Sequence, residues 1–506
     1  MKTLKEAYKD SFLMGNIYRP NVLENAPLQR MINEQFNTIT AENIMKPALI
    51  QPSEGDFVFA DADRMVKYAL ESDLLVVGHT LAWHQQTLNW IDEANTSKEE
   101  ALALLRKHLT AIMTRYKGKI IAWDVLNEAI EDGVQADTKD WRKHLRSTPW
   151  LRMIGEDYIN HVFHIAHELD PNAVLYYNDY NLNYPQKREA TYYMVKELKA
   201  AGVPIHGIGM QGHYHTNTPV HTVTDSLKLF SELSDIEISI TELDVTVTGS
   251  EKATTLSHEH ALLQAQYYAQ LFQIYKRYAT SIKRVTFWGL DDQSSWRGER
   301  FPTIFNKDYS PKAAFHAIID PEKFLQAHPL VARDTTQVAT AQRGTPELGN
   351  EKTWLTSKPL AVSRQLTAWE GATAIAYTMW DEENLYVRAD VATSETHNKD
   401  AIAIYLNAPF ATTHHITITL ENEVSFNGKA EVPTLKTFVT TTPIGYQVEA
   451  KIPFQSGLSA RQTMGFDIEV NDFNQEGYRQ SAAAWNDVTG SLPYTTENLG
   501  SLTLEG

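Results

Sequence analysis

Short apolar runs rich in β-branched residues alternate with longer amphipathic segments from the start of the chain to Pro321. Short runs of this kind predict buried strands, and apolar residues at helical spacing predict helices packed on them. The predicted strands are residues 12–17, 38–41, 74–78, 120–126, 173–177, 207–210, 237–240 and 285–288. Helices are predicted between them, among others at residues 98–116, 157–169, 187–201 and 258–278.

Eight strands that alternate with helices favour a closed barrel of parallel strands. We therefore predict an α/β fold in which residues 1–330 form a (β/α)8 TIM barrel. In such a barrel the loops that follow the strands meet at one rim, so the functional site is expected there.

The pattern changes after Pro321. Residues 331–344 are rich in Ala, Thr and Gln and predict a linker. Beyond them, short runs with a period of two and turn signals such as Asn427-Gly428 predict an antiparallel β-sandwich over residues 345–506. Its predicted strands are residues 374–377, 385–391, 401–406, 416–420, 446–452 and 465–470.

The composition narrows the classes of function. A chain of 506 residues is longer than one core usually supports, which agrees with two domains. Its 46 basic and 63 acidic residues leave a net charge of -17, which repels nucleic acid and favours a neutral substrate. The sequence contains no cysteine, which excludes disulfides and thiolate metal sites.

The sequence has no apolar stretch of about 18 residues, so we expect no membrane-spanning segment. It opens on polar helical residues, with no apolar run typical of an export signal. Two interpretations follow: an extracellular protein in which Met1 replaces a removed signal, or a cytoplasmic protein. We expect the chain to be a monomer.

Polar and aromatic residues follow seven of the eight predicted strands. They are Glu42, Asn43 and Lys46 after the second strand; His79, Trp83, His84 and Gln86 after the third; Asn127 and Glu128 after the fourth; Asn178 and Asp179 after the fifth; Gln211, His213 and His215 after the sixth; Glu242 and Asp244 after the seventh; and Trp288, Asp291, Asp292 and Trp296 after the eighth. Buried polar groups cost free energy unless paired, so a purely structural barrel would not need this set.

Two of these residues, Glu128 and Glu242, give the strongest chemical indication. Glycoside hydrolysis requires one carboxyl group that protonates the leaving oxygen and a second carboxylate facing the anomeric carbon. A metal centre is the alternative for a site rich in histidine, but the five-residue step from His79 to His84 differs from a helical His-Glu-x-x-His zinc motif. We expect no metal and no cofactor.

Six segments then identify a resemblance. They are Thr-Ala-Glu-Asn-x-x-Lys at 40–46, Gly-His-Thr-Leu-Ala-Trp-His-Gln-Gln at 78–86, Trp-Asp-Val-Leu-Asn-Glu at 123–128, Asn-Asp-Tyr-Asn at 178–181, Ile-Thr-Glu-Leu-Asp at 240–244, and Trp-Gly-Leu-Asp-Asp with Ser-Trp-Arg at 288–297. In this order they resemble glycoside hydrolase family 10, the retaining endo-β-1,4-xylanases, over residues 1 to about 325. The resemblance implies a TIM barrel that acts on xylan or xylo-oligosaccharides.

The resemblance also implies roles for individual residues. Glu128 would be the general acid/base and Glu242 the nucleophile, while His213 would contact Glu242 and be oriented by Asp244. Asn127 would bind the sugar's 2-hydroxyl. The residues expected to form or support the subsites are His79, Trp83, Gln86, Asn178, Gln211, Trp288 and Trp296 at the cleavage point, and Glu42, Asn43 and Lys46 around the next sugar on the non-reducing side.

One position departs from the family pattern. The family usually has Gln-Ser-His where this chain has Gln211-Gly212-His213. Glycine removes a hydroxyl and adds backbone freedom, which affects the fine positioning of His213 rather than the mechanism.

Residues 345–506 are similar to carbohydrate-binding module family 9. The similarity lies in Met379-Trp380-Asp381 with Leu385-Tyr386-Val387, in residues 446–453, in Gly465-Phe466-Asp467-Ile468-Glu469-Val470-Asn471-Asp472 and in Trp485-Asn486-Asp487. The family's sugar clamp is a pair of tryptophans, whose places fall here on His397 and around Pro493 and Tyr494, and an acidic residue of the family is replaced by Ala403. We expect weak or altered sugar binding.

The sequence therefore predicts a retaining endo-β-1,4-xylanase with an appended β-sandwich. Three alternatives stay open: a cytoplasmic hydrolase of short xylo-oligosaccharides, a catalytically silent xylan-binding protein, and a cellulase or mixed-linkage glucanase.

Overall fold

The computed structural model describes residues 2–132, 134, 137–216, 218–247, 255–330, 336–366, 371–407, 415–426, 435–454, 457–475, 477, 479–487, 492 and 498–506. Backbone contacts divide the chain into two units, Met1–Leu330 and Val331–Gly506.

The first unit is built on a closed sheet of parallel strands. The strands of this unit are β1 (Leu13–Tyr18), β2 (Thr38–Ala41), β3 (Leu75–Ala82), β4 (Ile120–Asn127), β5 (Val174–Asp179), β6 (Gly207–Met210), β7 (His213–His215), β8 (Glu237–Thr246) and β9 (Ile282–Phe287). Eight of them lie in the order β6-β5-β4-β3-β2-β1-β9-β8, and pairing of β6 with β8 closes the barrel. The short β7 pairs with β8.

Helices connect the strands. They are α1 (Leu4–Ala7), α2 (Ala26–Gln35), α3 (Pro47–Ile50), α4 (Ala60–Glu71), α5 (Lys98–Tyr116), α6 (Pro149–Ile154), α7 (Tyr158–Leu169), α8 (Pro185–Ala200), α9 (Val220–Phe230), α10 (His258–Arg277), α11 (Ala313–Ile319) and α12 (Pro321–Ala327). Over the described residues, no helix combines the length and the hydropathy needed to cross a bilayer.

Helix α5 illustrates how the sequence produces these elements. Ser97 and Glu100 form a capping box that satisfies backbone N–H groups at its first turn. Leu105, Leu109 and Ile112 lie at helical spacing on its inner face and are 0% exposed. The helix is therefore fixed at its start by local hydrogen bonds and along its length by burial.

All eight predicted barrel strands are confirmed, but β3 and β8 end well beyond their predicted limits. Strand β8 continues to Thr246, so Glu242 and Asp244 lie within the strand, and β3 continues to Ala82 and includes His79. Both strands were predicted too short because the apolar run in the sequence stops before a polar residue, which is His79 in β3 and Thr241 in β8. The backbone ladder continues because those side chains are hydrogen-bonded inside the barrel.

The second unit is a β-sandwich. Its strands are β10 (Val338–Arg343), β11 (Pro359–Val362), β12 (Arg364–Gln365), β13 (Thr373–Trp380), β14 (Asn384–Ala392), β15 (Ala401–Leu406), β16 (His415–Thr419), β17 (Val424–Phe426), β18 (Lys436–Thr442), β19 (Gly445–Pro453), β20 (Thr463–Phe473), β21 (Arg479–Ala484) and β22 (Gly500–Leu504). The six predicted strands are confirmed. The predicted turn at Asn427-Gly428 lies outside the described residues.

Strand β10 corrects the predicted linker. Residues 338–341 pair in parallel with β22 and residues 342–343 pair in parallel with β13, so β10 joins the two layers of the sandwich. Residues 331–335 of the predicted linker lie outside the described residues. The Ala- and Thr-rich composition misled the prediction because small residues also fit a strand where two sheets meet closely.

The position of β10 gives a direct test. Ala341 is 0% exposed, whereas Val338 on the same strand is 74% exposed. Ala341→Asp would bury an unpaired carboxylate and is expected to lower the stability of the sandwich by several kcal/mol. The matched variant Val338→Asp is expected to stay within about 0.5 kcal/mol of the parent. Calorimetry of the full chain measures both, and equal melting of the two variants would contradict a structural role for β10.

Candidate active site

Glu128 lies directly after β4 with a left-handed backbone, at φ 58°. A residue with a β-carbon pays about 1–2 kcal/mol for this conformation, so neighbours must hold it. Its N–H donates to the Asn178 carbonyl at 2.8 Å, and Arg146 Nε donates to its carbonyl at 3.0 Å. These two bonds fix the direction in which the carboxyl group leaves the chain.

The Glu128 carboxyl group is almost buried and accepts two hydrogen bonds. Trp83 Nε1 donates to one oxygen at 2.7 Å, and Gln211 Nε2 donates to the other at 2.8 Å. His84 Nδ1 is 3.9 Å away. Burial, reinforced by the charge of Arg146, lowers the pKa of His84 to about 3, so this imidazole is neutral beside the carboxyl group.

Glu242 points into the same site from β8 and is 5% exposed. Asn178 Nδ2 donates to Glu242 Oε1 at 2.9 Å and to Asn127 Oδ1 at 2.9 Å. Gln211 Nε2 is 3.5 Å from the same Asn127 oxygen. The two glutamates therefore belong to one hydrogen-bonded network.

His213 joins this network to a third carboxyl group, that of Asp244. Its Nε2 is 3.1 Å from Glu242 Oε2, and its Nδ1 is 3.0 Å from Asp244 Oδ2. Burial lowers the pKa of His213, but Asp244 and Glu242 outweigh that effect and raise it to about 9. The imidazole is therefore protonated at neutral pH, with one N–H for each carboxylate.

Asp244 is held by three donors, which are His213, Trp296 and Arg297. Trp296 Nε1 lies 3.0 Å from it, and Arg297 forms a buried ion pair with its other oxygen. Burial alone would raise the pKa of Asp244, but Arg297 and His213 together lower it. The Trp296 ring also packs edge-on against His213, at 5.1 Å between centroids, and is 50% exposed.

Residues after β2 form a neighbouring part of the site. Lys46 Nζ donates to Asn43 Oδ1 at 2.8 Å and lies 4.9 Å from the centre of the Trp83 ring. Burial lowers the pKa of Lys46, and the charges of Glu242, Glu42 and Glu128 oppose that shift. Lys46 is thus within electrostatic reach of both candidate catalytic glutamates.

His79 and Trp288 pack against each other. His79 Nδ1 is 2.8 Å from Asp124 Oδ2, and its ring packs edge-on against Trp288 at 5.3 Å. Gln86 stands apart, because it is exposed and its backbone carbonyl accepts a hydrogen bond from the Ala48 N–H at 2.8 Å. Glu42 contacts Arg19, outside this network. The candidate residues linked to Glu128 or Glu242 by side-chain contacts, directly or through one another, are Asn43, Lys46, Trp83, Asn127, Asn178, Gln211, His213, Asp244 and Trp296.

Several supporting residues were not predicted. They are Arg19, Asp124, Arg146, Thr241 and Arg297. Arg297 could have been found, because it directly follows Trp296 in a recognised segment. Arg146 lies in no recognised segment, and only the folded structure brings it to Glu128.

A buried charge cluster lies behind Glu128. Lys187 Nζ is 2.8 Å from Asp179 and 3.0 Å from Asp132, and Tyr180 contacts both Asp132 and Arg146. Burial raises the pKa of Asp179 to about 6 even though Lys187 opposes it. Across the described part of the chain, no three His, Asp or Glu side chains are grouped to hold a metal ion.

The protonation of His213 is directly measurable. In the full chain with ¹³C-labelled histidine, one imidazole is expected to lose its proton near pH 9, and His213→Asn should remove that signal. Asp244→Asn should move the titration to lower pH, since it removes the carboxylate that most strongly favours the charged form. Titration of His213 near pH 6.5 in the parent chain would contradict the described pairing.

Two family models match most of the chain between them. Residues 3–321 match the family model described as Glycosyl hydrolase family 10, and residues 349–506 match the model described as Carbohydrate family 9 binding domain-like. The chain is 34% identical to Endo-1,4-beta-xylanase A of Thermoanaerobacterium saccharolyticum, and the match covers 99% of this chain and 43% of that protein. It is also 34% identical to Exoglucanase XynX of Acetivibrio thermocellus, over 99% of this chain and 46% of that protein.

The chain thus spans less than half the length of these two relatives. Among solved structures, xylanase XynB from Paenibacillus barcinonensis, complexed with a conduramine derivative, is 37% identical with a TM-score of 0.59, covering 63% of this chain and 98% of that one. Together with the match over residues 3–321, these findings establish that the chain belongs to glycosyl hydrolase family 10.

Proposed function

We propose that the protein is a retaining endo-β-1,4-xylanase that cleaves internal bonds of xylan by double displacement. The observation that carries the proposal is the pair of buried carboxyl groups, Glu128 and Glu242, joined through Asn127, Asn178 and Gln211 at the carboxyl end of the barrel. A retaining glycosidase needs two such groups in one site with separate roles.

Glu242 is suited to the role of nucleophile. Asn178 and His213 each donate to one of its oxygens, which fixes the position of the carboxylate. In the first step Glu242 attacks the anomeric carbon, and the bond to the leaving oxygen breaks. The product of this step is a covalent glycosyl-enzyme.

Glu128 is suited to the role of acid and base. In the first step it would protonate the leaving oxygen, and in the second it would take a proton from the water that attacks the glycosyl-enzyme. Trp83 and Gln211 hold its carboxyl group by one bond to each oxygen. This leaves lone pairs on the carboxyl group for exchange of the proton.

Asn127 is oriented as a donor. Its Oδ1 accepts from Asn178 and lies near Gln211 Nε2, so its amide NH₂ is the group left to bind substrate. A donor at this place is suited to the 2-hydroxyl of the sugar being cleaved, a contact that strengthens in the transition state. Glu42, Asn43 and Lys46 would bind the next sugar on the non-reducing side.

The sandwich is proposed to contribute little sugar binding. At the first position of the family's clamp, His397 is half-buried and stacks at 6.4 Å on Phe473. Ala403 is buried in a cluster with Tyr405 and Leu492. The second clamp position, around Pro493 and Tyr494, lies outside the described residues. An imidazole offers a smaller stacking surface than an indole, which supports weak binding.

The product pattern and its stereochemistry test the proposal. The full chain is expected to release mixed oligomers from arabinoxylan early in the reaction, and NMR should show the β anomer of the new reducing end before mutarotation. Cellulose and mixed-linkage glucan serve as controls, because one relative is named an exoglucanase. Initial formation of the α anomer, faster hydrolysis of glucan, or cleavage of xylotetraose alone would each overturn the proposal.

The division of roles predicts different responses to the leaving group. Glu128→Ala should slow hydrolysis of xylan by about 10²–10⁴-fold but leave formation of the glycosyl-enzyme from an activated dinitrophenyl xylobioside much less affected, because that leaving group needs little protonation. Glu242→Gln should abolish turnover of both substrates. Stopped-flow and steady-state rates measure the contrast, and equal losses in Glu128→Ala on both substrates would contradict an acid role.

A further inference from the structure

Arg19 occupies a place in the barrel that the proposed function does not use. Strands β1 and β2 pair in parallel with Tyr18 opposite Ala41, so the next residues, Arg19 and Glu42, emerge side by side on the rim. The Glu42 N–H also donates to the Tyr18 carbonyl at 3.2 Å. The strand register itself therefore places this cation against this carboxylate.

The contact between the two side chains is a two-pronged ion pair. Arg19 Nη2 donates to Glu42 Oε1 at 2.6 Å, and Arg19 Nε donates to Glu42 Oε2. The Glu42 side chain is only 7% exposed, whereas that of Arg19 is 31% exposed. Asp291, which follows β9 on the other side of β1, adds a second negative charge near the guanidinium.

The ion pair with Arg19 determines the charge balance and the orientation of the Glu42 carboxylate. A buried carboxylate without a partner is costly, and a bidentate guanidinium both compensates the charge and sets the plane of the group. Each carboxylate oxygen has two lone pairs, and Arg19 uses one on each. The remaining lone pairs are thereby held in fixed directions.

We propose that Arg19 is a positioning residue that fixes Glu42 for a hydroxyl group of the sugar next to the cleavage point on the non-reducing side. This inference rests on the proposed function. Arg19 then controls how much this neighbouring sugar contributes to transition-state binding. It takes no part in bond cleavage at the sugar that is attacked.

Substrates that differ by this one sugar separate positioning from general damage. With aryl β-xylobioside, which occupies both subsites, Arg19→Met should lower kcat/KM about tenfold or more, mainly through KM. With aryl β-xyloside, which occupies only the subsite at the cleavage point, kcat/KM should change less than twofold. Arg19→Lys keeps the positive charge but cannot form the bidentate contact, so it should recover only part of the lost kcat/KM.

Two further variants make the test specific. Arg115→Met removes a bidentate pair with Asp63 that joins α5 to α4, and should leave both substrates unaffected. In a Glu42→Gln background, adding Arg19→Met should cause little further loss on the xylobioside, because Arg19 acts through Glu42.

Each result decides the inference. Equal losses of Arg19→Met on both substrates, full recovery by Arg19→Lys, or additive losses with Glu42→Gln would overturn the role of Arg19. If the parent chain hydrolysed neither aryl xyloside nor aryl xylobioside, the proposed function itself would fail. Measuring the parent chain beside the variants separates this outcome from a failure of the role of Arg19 alone.

Discussion

The amide group of Asn178 is the contact on which the site depends. It is 0% exposed, and it donates to Glu242 and to Asn127, while its own oxygen accepts from Thr241 at 2.5 Å. Its backbone carbonyl accepts from the Glu128 N–H. One residue at the end of β5 therefore contacts residues of β4 and β8 and connects the two glutamates, and the barrel's closure sets their relative positions.

Buried charge is the second constraint. Two buried ion pairs lie around this core: Asp244 with Arg297, and Lys187 with Asp179. Removal of one partner leaves an uncompensated charge, which costs more than the pair contributes. Such pairs fix the positions of their side chains, but they tolerate substitution of either partner poorly. The Arg19–Glu42 pair extends the same principle to the neighbouring subsite.

Much of the fold could be predicted from hydrophobic periodicity, because parallel barrel strands are buried on both faces and form clear apolar runs. The ends of β3 and β8 could not, since polar side chains such as His79 and Glu242 continue the strand only by virtue of partners from other strands. Strand β10 was missed because its small residues lack the apolar contrast of a core strand.

The same distinction applies to the site. Glu128, Glu242 and His213 lie in recognisable segments, and the structure brings them into one network. Arg146 and Arg19 carry no such local signal, because their role depends on the register of strands and on loops distant in sequence. The exposed Gln86 shows the opposite case, in which a residue of a recognised segment lies apart from the network.

Mass spectrometry after treatment of the full chain with a 2-deoxy-2-fluoro-β-xylobioside bearing a dinitrophenyl leaving group tests the central claim most directly. The fluorine slows hydrolysis of the glycosyl-enzyme, so the intermediate accumulates. The account predicts one added disaccharide per chain, located on the peptide that contains Glu242. An adduct on another residue, or rapid turnover of normal substrate with no adduct at all, would contradict it.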